Sequence, residues 1–122
     1  MVMKIIIAGG REYFLTATDI QALDRLMLAL PITEVVCGMA RGADLDGKLW
    51  AQYCGIRYKE FPPDWERYGK QAGFIRNQEM ADHADGAVLF PGGRGTADMK
   101  LRSMKTFPAD RIFDFTGGTG LF

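Results

Sequence analysis

Three short segments combine glycine with arginine in the manner an anion site requires. They are Gly9-Gly10-Arg11, Gly38-Met39-Ala40-Arg41-Gly42-Ala43-Asp44 and Pro91-Gly92-Gly93-Arg94-Gly95-Thr96. Glycine admits positive φ and lets backbone N–H groups approach an anion with no Cβ in the way. Arg11, Arg41 and Arg94 offer charge-assisted hydrogen bonds, each about 1.5–3 kcal/mol when well placed. Thr96 can cap a helix or donate its hydroxyl to a phosphate. One such loop is equally well explained as a tight strand-to-helix turn. Three converging loops point to an anion site made of Gly9, Gly10, Arg11, Gly38, Arg41, Gly42, Gly92, Gly93, Arg94, Gly95 and Thr96.

A second group lies between and after these loops. Arg76 opens a helical stretch and either leans over the pocket or is a solvated helix arginine; Asn77 beside it suits a ribose or base. Glu79, three residues beyond Arg76, shares its helix face, as an ordinary ion-pair partner or a working carboxylate. Asp98 suits the first turn of a helix in any case. Asp44 reads as an N-cap and Asp46 as a surface residue. Trp65 and Tyr68 either stack on a purine or anchor their loop, and Trp50 reads as core. The single histidine, His83, sits near a helix C-terminus with no relay partner, and Cys37 ends an apolar strand. No His, Cys and carboxylate spacing suits a metal, and no cofactor is expected.

Apolar runs at Lys4–Ala8, Glu34–Cys37, Gly86–Phe90 and Arg111–Phe115 read as buried parallel strands, with a more polar Arg57–Phe61 at an edge. Helical patterns fall at Asp19–Leu30, Leu45–Cys54, Gln71–Ala84 and Thr96–Thr106. In the first, Ile20, Leu23, Leu26, Met27 and Leu30 recur at helical spacing before Pro31. In the second, Leu45, Leu49, Ala51 and Tyr53 form the apolar positions, interrupted by Gly47. Strict alternation predicts an α/β, three-layer αβα sandwich on a five-stranded parallel sheet in order 3-2-1-4-5. Strand order then reverses between strands one and four, where open parallel sheets bind ligands. The loops after those strands are two of the three glycine–arginine segments.

The 122 residues suit one domain, 48% hydrophobic and 25% charged. Formal net charge is zero, which argues against a long nucleic acid as partner. The two cysteines form no CxxC pair, and no signal peptide or membrane span is recognisable, so a reduced, cytoplasmic setting is expected. Residues 8–13 read Ala-Gly-Gly-Arg-Glu-Tyr, not GxGxxG, and Gly38 stands where a dinucleotide fold places its ribose-binding acid. Gly69-Lys70-Gln71 lacks the rest of a P-loop. Ordinary dehydrogenase and NTPase readings fall away. The Gly-rich tail, with Leu121 and Phe122, reads as turns.

Taken in order, the three segments together with Trp50-Ala51, Phe61-Pro62-Pro63-Asp64-Trp65, Gly69-Lys70-Gln71-Ala72-Gly73 and Ile75-Arg76-Asn77-Gln78-Glu79-Met80 resemble the YspA-type members of the SLOG superfamily. The likeness runs from about residue 3 to residue 115 and closes on Pro91–Met99. It implies a Rossmann-like domain for a nucleotide or nucleotide-derived ligand, with relatives that include LOG phosphoribohydrolases, single-stranded-DNA-binding DNA-processing A proteins and sensors of NAD-derived signals. The PGGxGT part of the LOG motif falls on Pro91–Thr96, but its terminal glutamate falls on Met99, with Asp98 one place earlier. The LOG arginine and glutamate fall on Arg76 and Glu79. The LOG likeness also implies a homodimer.

These observations leave three readings. The chain binds a small nucleotide (NAD, ADP-ribose or a nucleoside monophosphate) as a sensor or sequestering domain. Alternatively it hydrolyses a nucleoside 5′-monophosphate, with Arg76 orienting the sugar and Asp98 or Glu79 acting on the glycosidic centre. The third reading is a single-stranded DNA module.

Overall fold

The structure is a computed structural model and describes residues 2–38 and 41–117. Five strands, β1 (Met3–Ala8), β2 (Ile32–Cys37), β3 (Arg57–Glu60), β4 (Gly86–Leu89) and β5 (Ile112–Asp114), form one sheet in order β3-β2-β1-β4-β5. Every pairing is parallel, with Ile5 opposite Val35 on one side and Gly86 on the other. The expected fold class and strand order are those observed. Strand order reverses between β1 and β4.

The central strands are buried on both faces, so their sequences are continuous apolar runs rather than alternating ones. Ile5, Ile7, Val35, Val88 and Phe90 pack with Leu23 of α1 (Ala17–Ala29) and Trp50 and Ala51 of α2 (Ala43–Cys54). Ile6, Ala8, Val36, Ala87 and Leu89 face the other way, onto Met80 and Ala81 of α4 (Ala72–His83) and Met99 of α5 (Arg94–Thr106). The polar β3 and the three-residue β5 take the edges. No helix among the described residues is long and apolar enough to cross a membrane.

Helix starts differ from the sequence expectations in instructive ways. α1 begins before Asp19 because Thr16 caps it: Thr16 Oγ1 accepts the Asp19 N–H at 3.1 Å, and the Asp19 carboxylate accepts the Thr16 N–H at 3.0 Å. α2 begins at Ala43, with Gly42 as N-cap at φ 77°, so Asp44 lies inside the first turn and is not the cap. Asp46 is not a bare surface acid: it accepts the Leu15 N–H at 2.9 Å and pins the loop after β1. The long connection expected after β3 contains a further short helix, α3 (Trp65–Tyr68), and a 3₁₀ turn at Gly69–Gln71. The tail residues Leu121 and Phe122 lie outside the described residues.

The expected inward face of α2 is also corrected. Leu45 and Leu49 are exposed and Tyr53 is 91% exposed, while Ala43, Gly47, Trp50 and Ala51 face the sheet. Gly47 is the cause. A Cβ there would stand 2.6 Å from Ile7 Cγ2, so the glycine lets the helix lie close on β1 and turns the larger apolar side chains outward. Trp50, buried as expected, donates Nε1–H to Asp24 at 2.9 Å.

Two outcomes follow from this packing. Gly47→Val should lower the unfolding free energy by about 2–3 kcal/mol in urea titrations, because overpacking against Ile7 outweighs the roughly 0.5–1 kcal/mol that glycine costs inside a helix; an unchanged midpoint would contradict the close contact. Burial pushes the Cys37 thiol up to about 12, with Glu60 and Asp44 adding to the shift. At pH 8 an alkylating reagent should therefore spare Cys37 in the native protein and modify it in urea. Rapid native modification of Cys37 would contradict its placement.

Candidate functional site

Three loops meet at the carboxyl edge of the sheet, and their glycines are there to let them touch. Gly10 donates its N–H to Pro91 O at 2.8 Å, and Ala43 donates to Gly10 O at 3.3 Å. A Cβ on Gly9 would stand 2.5 Å from Ala43 Cβ, and one on Gly10 would stand 2.8 Å from Gly92 Cα. A Cβ on Gly42 would strike Gly10 O, and the positive φ at Gly42 excludes most side chains in any case. Gly9, Gly10, Gly42 and Gly92 thus weld the loops after β1, β2 and β4 into one ledge. Gly93 and Gly95 differ, since a Cβ on either would meet open space.

Beside the ledge lies a cleft of about 570 Å³, at the β1/β4 reversal. One end is the start of α5. Gly93 is its N-cap and provides no side chain, and the first intrahelical bond runs from the Ala97 N–H to Gly93 O at 3.0 Å. The N–H groups of Arg94, Gly95 and Thr96 therefore have no intrahelical acceptor, and these residues line the cleft. α5 starts two residues earlier than expected, so Thr96 is buried within the first turn, its hydroxyl packed under Gly92, and it does not cap the helix. The opposite wall is Pro63, Trp65 and Phe74, with Trp65 57% exposed. Tyr68 is not in this wall; its ring lies under the Arg67 guanidinium.

The floor is Gly38, Asp44 and Arg76. Arg76 reaches from α4 to donate Nη1–H to Gly38 O and, at 3.2 Å, to Phe61 O, tying together the carboxyl ends of β2 and β3. Its Nε–H goes to Asn77 Oδ1 at 3.1 Å. Burial holds the guanidinium below the ordinary arginine value, an effect opposed by attraction to Asp44 and then to Glu79. A solvated helix arginine is thus excluded, and so is the idea that Arg76 leaves the fold untouched: it braces the site that it lines. Gly38 makes this possible, since a Cβ there would stand 2.6 Å from Arg76 Nη1 and 3.0 Å from Asp44 Oδ2.

The remaining candidates divide between the cleft and its supports. Asn77 is buried at the cleft and donates Nδ2–H to Gly95 O and to Asp98 Oδ2, both at 3.1 Å, which locks α4 to the start of α5. Asp98 is held by Arg102 at 2.7 Å and does not line the cleft. Glu79 is exposed, makes no ion pair with Arg76 and is also outside the lining. Arg11 and Arg94 line the cleft and are exposed, whereas Arg41 turns to an ion pair with Glu12 at the rim. His83 lies elsewhere, paired with Glu34 at 2.5 Å. No group of three or more His, Cys, Asp or Glu among the described residues is placed to hold a metal ion.

Sequence reasoning passed over Asp44 and Lys70 as cleft residues. Asp44 would have stood out had Gly42, rather than Asp44 itself, been read as the helix cap. With Lys70 counted, four cations (Arg11, Lys70, Arg76, Arg94) and two carboxylates (Glu12, Asp44) line the cleft. The chain is neutral, but its cleft favours an anion.

Comparison with known proteins agrees with this architecture. The family described as "YspA, cpYpsA-related SLOG family" matches residues 3–68. The "Gene 61 protein" of Mycobacterium phage D29 is 38% identical over 100 residues, covering 75% of this chain and 78% of that protein. No solved structure matches the chain.

Arg76→Ala should lower stability by about 2–3 kcal/mol, because two buried carbonyls lose a charged donor. Arg76→Lys should recover only part of this, since an ammonium cannot reproduce the planar fork. Denaturant unfolding of the two variants checks it; an alanine variant as stable as the wild type would reduce Arg76 to a surface residue.

Proposed function

This chain belongs to the YspA and cpYpsA-related SLOG family, a nucleotide-related group of Rossmann-like domains, and from that membership we propose that it binds a nucleotide through a phosphate seated on the start of α5. The observation that carries the reading is the uncapped α5 N-terminus. Three backbone N–H donors, the positive end of a 13-residue helix and the Arg94 and Arg11 guanidiniums are available to one anion. Gly93 and Gly95 leave that approach open. Trp65 and Phe74 on the facing wall offer a base a surface to stack on. A cleft of about 570 Å³ is of ordinary size for such a ligand.

Binding without turnover, as a sensor or sequestering domain, fits better than hydrolysis. The two carboxylates that the LOG likeness offered for catalysis are occupied elsewhere: Asp98 holds Asn77 and Arg102, and Glu79 stands outside the cleft. NAD, ADP-ribose and nucleoside monophosphates share the required phosphate and base.

A charge placed at residue 95 tests the site without disturbing the fold. Gly95→Asp puts a carboxylate where the anion would sit. At a helix N-terminus that substitution is neutral or stabilising by about 0.3–1 kcal/mol. AMP or ADP-ribose at a hundred times its dissociation constant should stabilise the wild type by about 2.7 kcal/mol, a melting shift of several degrees. Gly95→Asp should melt no lower than the wild type and show almost no shift. An equal ligand-induced shift in both proteins would remove the phosphate from α5.

A further inference from the structure

Asp44 is an unexpected side chain for the floor of an anion site. It is 7% exposed, lines the cleft, and accepts the Gly9 N–H on Oδ1 at 3.2 Å. Its Oδ2 and Arg76 Nη1 both lie within about 3 Å of the position a Cβ would take on Gly38, so the two opposite charges flank the same point at the end of β2. Glu12 is the other carboxylate of the lining, but it is exposed and turned to Arg41 at the rim. A carboxylate repels phosphate and receives only donors, and an ionised one offers about four lone-pair sites, of which the Gly9 N–H takes one.

The positions of the parts say which donor that is. The N–H groups of α5 stand at one end of the cleft and the Trp65 and Phe74 wall at the other, with Asp44 on the floor behind the ends of β1 and β2. In a nucleotide the sugar joins the phosphate to the base. A ligand with its phosphate on α5 and its base on the aromatic wall lays its sugar across the floor.

We propose that Asp44 accepts a hydrogen bond from the ribose 2′-hydroxyl, so that this cleft selects ribonucleotides over deoxyribonucleotides. The inference rests on the phosphate-on-α5 reading. It gives Asp44 a role in recognition rather than chemistry. It also separates the work of the two floor residues: Arg76 holds the strand ends in place, and Asp44 reads the sugar.

Calorimetric titration of the whole chain with inorganic phosphate, AMP, 2′-deoxy-AMP and IMP tests it, on the wild type and Asp44→Asn. The asparagine keeps an acceptor for the Gly9 N–H and so preserves the ledge. Wild type should prefer AMP to 2′-deoxy-AMP by about tenfold to a hundredfold, the size of a charge-assisted hydrogen bond. In Asp44→Asn that preference should fall at least several-fold, while inorganic phosphate binds with unchanged affinity. Equal wild-type affinity for AMP and 2′-deoxy-AMP overturns the proposal, a result that needs no variant to fold. A preference that persists in Asp44→Asn also overturns it, by assigning the hydroxyl to another group. A variant that instead loses only the distinction between AMP and IMP places a base amino group on Asp44 and overturns the ribose assignment. Phosphate bound with no sugar preference sinks this inference alone, whereas failure of every probe to bind sinks the phosphate reading with it.

Discussion

The structure depends on backbone touching backbone at the carboxyl edge of the sheet. Loops after β1, β2 and β4 approach closely enough for Gly10 to bond Pro91 at 2.8 Å and for Ala43 to bond Gly10 at 3.3 Å. No Cβ fits at residues 9, 10, 42 or 92. Glycine is entropically costly to order, so such a cluster persists only where close approach is required. Here it fixes where α2 and α5 begin, and therefore where Asp44 and the free N–H donors of α5 stand. The same device recurs beneath, where Gly47 lets α2 settle onto Ile7.

Around this ledge the polar residues form a second tier. Arg76 ties β2 to β3, Asn77 ties α4 to α5, and Asp98 with Arg102 fastens Asn77 from behind. Each is a buried or half-buried group with its hydrogen-bonding capacity used internally, which makes it a support first. What is left facing the cleft is simple: backbone donors, arginines at the rim, an aromatic wall and one floor carboxylate. Such a preformed site needs little rearrangement to receive a ligand, which spares ordering entropy on binding.

Much of this was legible in the sequence. Strand order, the reversal point and the convergence of the glycine–arginine loops follow from alternating apolar runs and helical spacing. What sequence reasoning misjudged were matters of one turn of helix. Reading Asp44 as a cap hid a buried carboxylate, and reading Thr96 as a helix start hid the true, uncapped one at Gly93. Leu45, Leu49 and Tyr53 have the spacing of a buried face, yet the close contact at Gly47 decides which side of α2 meets the sheet. The destinations of Arg76 and Asp98 are long-range contacts between segments far apart in the chain, and no local pattern encodes them.

The central claim is that an anion sits on the first turn of α5. Following backbone amide resonances while titrating inorganic phosphate and then AMP tests it most directly. The account predicts saturable shifts at the Arg94, Gly95 and Thr96 amides with both titrants, and additional shifts at the Trp65 indole with AMP alone. Shifts confined to another surface, with the α5 amides unmoved at saturation, would contradict it.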